Sequence, residues 1–259
     1  MPSHFSTIGF SLDSQEDLVD LAQQISGQAQ PLPVKRGQYL RWTGAGGEEL
    51  WLQIDESGDL IGMNPHFNGK ASMQVRLDAR VHRDSDTALD GAFEGWAMPD
   101  ADPAGQGAYP FVFDSPDSAT YGDLSLPGMA EVQVAAFAHE AWFHESPAAY
   151  AESQAAEKFK FASQSFIPSG SFAPDGTKTD PPEAMAIFAG HVKEAGTRKN
   201  SITGASFYWA LVDSLGGLHD VVMDRSLLSA EPTPGGVLFG QFWLSGRIIS
   251  APRATKNRA

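Results

Sequence analysis

The sequence contains no cysteine. That removes disulfides, thiolate zinc sites and cysteine nucleophiles together, and it fits a reducing compartment. No apolar run approaches the roughly 20 residues a membrane helix needs, and the N-terminal stretch shows no basic segment leading into an apolar one. Basic side chains are scarce: 18 Lys and Arg stand against 32 Asp and Glu, for a net charge of −14. Phosphate binding rests on clustered Lys and Arg, so this balance argues against nucleic acid and anionic membrane as partners. G-x-S-x-G, the Walker loop and the Rossmann glycine fingerprint are also missing, which removes the usual support for serine-hydrolase, P-loop and dinucleotide readings. A cytoplasmic protein without membrane contact is the expectation.

What is present is globular. With 42% apolar residues, 259 residues can bury a substantial core in one large domain or two ordinary ones. The charge divides at Pro181, because residues 1–180 carry −16 and residues 181–259 carry +2. The Pro/Gly/Asp-rich segment 174–182 marks the division. The expected units are therefore an acidic α+β domain over 1–173, a linker over 174–182, a β unit over 183–250 and a basic tail over 251–259.

Ser14 begins a capping box with Asp17, and Leu18, Leu21, Ala22 and Ile25 recur at helical spacing before Gly27. His4–Phe10 reads as a short strand before this helix, and Gln38–Thr43, Glu49–Asp55 and Leu60–Asn64 read as strands after it, parted by glycine-rich turns. Strands also suit Met73–Val81, Gly91–Ala97 and Tyr109–Asp114. Leu126–Phe143 fits strand or helix, and Ser146-Pro147 caps a helix expected over Ala148–Phe159. This order, with Gly37–Trp42 and Glu48–Gln53 as neighbouring strands, resembles one βαβββ half-module of the vicinal oxygen chelate superfamily over residues 4–67. The resemblance implies a divalent-metal enzyme, with His4 as one metal ligand and His66 as its counterpart. No other cofactor is expected.

Beyond the linker, Ala186–Lys193, Ser206–Asp213 and Leu218–Met223 read as strands, and a loop is expected over Glu194–Ala205. A short, helix-like connection then leads to a long strand over Gly235–Ile249. This pattern resembles a small OB-fold β-barrel. In the last strand Leu238, Gly240, Phe242, Leu244, Gly246 and Ile248 share one face. The opposite face carries Phe239, Trp243 and Arg247, is too aromatic to face solvent, and lies near His191 and Lys193 if the first and last strands pair.

The near-motif His139-Glu140-Ala141-Trp142-Phe143-His144 is one residue too long to be H-E-x-x-H, so its histidines diverge on helix and strand alike. The acidic clusters Asp84–Asp90 and Asp100–Gly105 lack a full set of calcium ligands and read as solvated loops. The sequence thus points to a non-enzymatic binding or accessory protein. Its small-molecule or protein partner would meet His191, Phe239, Trp243 and Arg247 between the two units. The metal enzyme is the second reading, and single-stranded nucleic-acid binding by the barrel is the third.

Overall fold

The computed structural model describes residues 3–100, 106–171 and 181–251. The linker and the basic tail lie largely outside this range, as does most of the Asp100–Gly105 cluster. Among the described residues the chain is mostly β, with two α-helices and two sheets.

Helix α1, Gln15–Ser26, begins at the capping box expected from sequence: Ser14 Oγ accepts from Asp17 N, and Asp17 accepts from Ser14 N. Its apolar stripe buries Leu21, Ala22 and Ile25. Four strands follow as an antiparallel meander: β1 (Gln30–Val34), β2 (Gly37–Thr43), β3 (Glu48–Ile54) and β4 (Leu60–Phe67). Two prolines, Pro31 and Pro33, sit in β1, where sequence reading placed no strand. They are tolerated because β1 is an edge and needs bonds on one side only. His4–Phe10, by contrast, is no strand. It closes on itself through a 3-10 turn, Ser6–Ile8, with Gly9 in the left-handed region and Phe10 N donating to Phe5 O. The order is therefore α-β-β-β-β, and the first strand of the expected βαβββ half-module is absent.

The second sheet has nine strands: β5 (Met73–Val81), β6 (Ala92–Ala97), β7 (Tyr109–Asp114), β8 (Gly128–His144), β9 (Ser165–Ile167), β10 (Met185–Lys199), β11 (Ser206–Ser214), β12 (Gly217–Asp224) and β13 (Val237–Ser250). Their order is β11-β12-β8-β5-β6-β7-β13-β10-β9, with additional pairings of β10 with β11 and β8 with β13. Those extra pairings close the sheet. One circuit runs β8-β12-β11-β10-β13 and the other β8-β5-β6-β7-β13, so the long antiparallel ribbon β8–β13 belongs to both. Neither circuit is a regular barrel: β7 meets β13 through the single pair Ser245 and Asp114, and β12 meets β8 through three parallel pairs in an otherwise antiparallel ring. The small barrel expected over 183–250 does not close on its own: β8, which precedes Pro181, stands between β12 and β13. Strands from both sides of the charge division thus share one sheet.

Three local differences from the sequence reading have clear causes. β8 is strand throughout, because Val132, Val134 and Ala136 alternate and β13 runs beside them. β10 continues through the expected loop to Lys199, with an irregularity between Val192 and Glu194. Helix α2 spans only Pro147–Ser153, because Gln154 grips the backbone N–H and C=O of Phe161 and folds the chain back.

The β13 face chosen from sequence is the core face: Leu238, Phe242 and Leu244 are fully buried. Gly246 is required there, because a Cβ would overlap the Phe113 ring. The meander packs on the larger sheet with Phe67 against Phe207 and Trp209 at 6.2 and 6.4 Å. Burying one such ring is worth about 1.5–3 kcal/mol, so contacts of this kind hold the two sheets together.

Candidate cavity and the buried polar chain beside it

The other face of β13 is covered by residues that precede Pro181, and the cover changes along the strand. At Phe239 it is aromatic: Trp142, Phe161 and Tyr150 lie at 5.6, 5.5 and 6.2 Å. His191 lies on this end of the same face, with Nε2 3.0 Å from Ser163 Oγ. At Trp243 the cover is His4, stacked at 4.1 Å, and Asp114, whose Oδ2 accepts from the indole N–H at 2.6 Å. At Arg247 it is the meander and its neighbours: the guanidinium lies 4.8 Å over Trp51 and pairs with Asp117 at 2.9 Å. Sequence placed Phe239, Trp243 and Arg247 on one face correctly. The structure gives each its own surroundings instead of a common site.

Trp243 and Ser245 border a polar cavity of about 200 Å³. Its wall continues through Asn64 of β4, Asp114 of β7 and the β5–β6 connection with Arg83, Asp86 and Asp90. Pockets for drug-sized ligands run to about 300–1,000 Å³, so this one suits a small molecule. Three carboxylates and one guanidinium give the wall an acidic balance.

The carboxylates are not equivalent. Burial raises Asp90, but the bonds it accepts from Thr87 N, Asn64 and Gln53 outweigh burial and hold it below the usual carboxylate range. At Asp114 burial wins and the carboxyl is pushed up, against the pull of Arg83 at 2.8 Å and of the Trp243 indole. Arg83 is fixed further by Pro182 O, which accepts from Nε and Nη2. The cluster Asp84–Asp90, read from sequence as a solvated loop, therefore supplies a bonded, partly buried carboxylate to the cavity wall.

Behind Ser245 runs a buried polar chain. His66 Nδ1 lies 2.8 Å from Ser245 Oγ, His66 Nε2 lies 2.8 Å from Gln133 Oε1, and Gln133 Nε2 donates to Asp220 Oδ2 at 2.9 Å. Asp220 also accepts from Trp209 Nε1, Lys70 N and Ala71 N. Burial lowers the His66 pKa, and the Glu49 carboxylate opposite it on β3 works against that. Sequence reading singled out His66 alone. Gln133 within Val132–Ala136 and Asp220 beside Val221 were the available signals, because a polar residue inside an apolar run is buried only with partners.

The two histidines that the chelate resemblance joins are apart. His66 has both ring nitrogens bonded in the chain just described. His4 meets His139, Nε2 to Nε2 at 2.8 Å with the rings 7° from coplanar. His139 reaches it because it is the extra residue of a β-bulge in β8, between the pairs Gln241–Glu140 and Phe242–Ala138. Among the described residues no cluster of three or more His, Asp and Glu could hold a metal ion, and no helix is long and apolar enough to cross a membrane. No protein-family model, curated protein or solved structure matches the chain.

Proposed function

We propose that this is a binding protein for a small, positively charged, polar molecule, held in the cavity beside Trp243. The observation that carries the reading is the composition of one wall. Trp243 offers an aromatic edge, and Asp86, Asp90 and Asp114 outnumber Arg83. An ammonium group gains from the carboxylates, whereas a carboxylate ligand would meet like charge. The reading keeps Trp243 of the sequence-derived set as a ligand contact, with Asp90 as its anionic partner.

The test is a panel of small amines, neutral alcohols and carboxylates of matched size, followed by calorimetry and thermal melting. A ligand at 100 times its Kd stabilises by about 2.7 kcal/mol, which melting resolves. Amines should raise the melting temperature, and Asp90→Asn and Trp243→Phe should each weaken that response by tenfold or more while the unliganded melt stays cooperative. Equal responses to all three classes, or an Asp90→Asn protein that binds amines as before, would remove the proposal. A metal on His4 and His66 is a poorer proposal, because His66 would have to surrender a buried bond. Single-stranded nucleic acid would meet an acidic wall.

A further inference from the structure

We propose that Ser245 is a nucleophile activated by His66, and that the cavity hydrolyses small esters bearing an ammonium group. This rests on the cavity being a binding site of the kind just described. The Gln133 amide nitrogen faces Phe67 O at 3.1 Å and Asp220 Oδ2 at 2.9 Å, both acceptors, so it must be the NH₂ and the other amide atom must be the oxygen. That oxygen faces His66 Nε2, so Nε2 carries the imidazole proton. Nδ1 then has a free lone pair, and the Ser245 hydroxyl donates to it at 2.8 Å. Nucleophile, base and orienting group are in the sequence that an activated serine requires.

Three surroundings suit the chemistry. Asp220 accepts four bonds and cannot turn away, so Gln133 holds one tautomer of His66. Glu49 pairs across the strands with His66, is fully buried and is bonded by Arg41 and Trp51, so its charge opposes the one that forms when His66 takes a proton. Arg83 stands on the same cavity wall as Ser245, and its guanidinium, paired with Asp114 and Pro182 O, would share its charge between that pair and a developing oxyanion.

In the first step Ser245 Oγ bonds to the ester carbonyl carbon and its proton moves to His66 Nδ1. The tetrahedral adduct then breaks its bond to the alcohol oxygen, which leaves with the proton from Nδ1. Water attacks the acyl-serine by the same route, releases the acid and restores the hydroxyl. Asp90 and Trp243 would hold the ammonium group of the ester.

A small alkyl fluorophosphonate tests the nucleophile. The expected result is a single adduct on Ser245 by peptide mass mapping, no adduct on Ser245→Ala, at least 100-fold slower labelling of His66→Gln, and protection by an acetate ester of a quaternary amino alcohol. Because His66 is buried and its variant can misfold, access is tested separately with Ser245→Cys. The parent chain has no cysteine, so iodoacetamide reports on that thiol alone. An unlabelled wild type, equal labelling of Ser245→Ala, or a folded Ser245→Cys protein inert to iodoacetamide would overturn the proposal. If amines still raise the melting temperature while Ser245 stays unlabelled, the nucleophile fails and the binding reading stands. If amines have no effect either, both fail.

Discussion

The His4 imidazole lies flat on the Trp243 indole, with ring centroids 4.1 Å apart and planes 7° from parallel. Its edge meets His139, so a residue near the start of the chain is held by one residue from each strand of the central ribbon. Stacked aromatic pairs are worth about 0.5–1.5 kcal/mol beyond area burial. His4→Ala should therefore cost about 1 kcal/mol in urea denaturation and shift Trp243 emission to the red as water reaches the ring. Adding Trp243→Phe should abolish the emission change, which assigns it to this tryptophan among the six.

Acid should weaken the fold before the carboxylates titrate. His4 and His219 are both held down to about 4, His219 by burial and His4 by burial first and by His139 second. The unfolded imidazoles bind protons near pH 6.5, so the unfolded state takes up more protons between about pH 6.5 and pH 4. Stability should be flat above pH 7 and fall steadily through that window. For the fully buried His219 the loss is on the order of 3 kcal/mol. Denaturation midpoints measured from pH 7.5 to 4.5 check the slope, and His219→Leu should flatten it.

Asp220 is completely buried and satisfies four donors at once. Asp220→Ala strands all four and frees Gln133 to turn. The expected cost is about 3–5 kcal/mol, measured by chemical denaturation.

Two glycines give a matched pair. At Gly246 a Cβ would overlap the Phe113 ring, whereas at Gly196 nothing lies within 4 Å. Gly246→Ala should destabilise by about 1–3 kcal/mol. Gly196→Ala should be neutral or stabilising by up to about 1 kcal/mol, through the unfolded chain. The difference between their denaturation midpoints is the measurement.

Local chemistry was legible in the sequence, and the closure was not. The Ser14–Asp17 cap, the limits of β5 and β7 and the inward face of β13 follow from neighbouring residues, and each stands where periodicity put it. Which strand lies beside β12 depends on pairing across distant segments. β8 fills that place, although its own residues read equally as helix. The cavity has the same origin. Asn64, Asp114 and Ser245 meet through the register of three strands, and His66 bonds a serine 179 residues away. Trp243 was visible because an aromatic on a polar face demands cover. Asp90 was not, since nothing within Asp84–Asp90 distinguishes a bonded carboxylate from a solvated one.

The shared ribbon also sets the order of events during synthesis. Every other described strand precedes β13 in the chain, yet both circuits need it: residues 138–144 of β8 have no other strand partner, and β7 and β10 each lack a neighbour without it. Long-range pairings of this kind fold slowly, and open edges invite association meanwhile. A chain halted before Val237 would carry the complete meander beside one open eight-stranded sheet, with neither circuit closed. Both circuits therefore close only once β13 is in place, and until then the larger sheet keeps open edges.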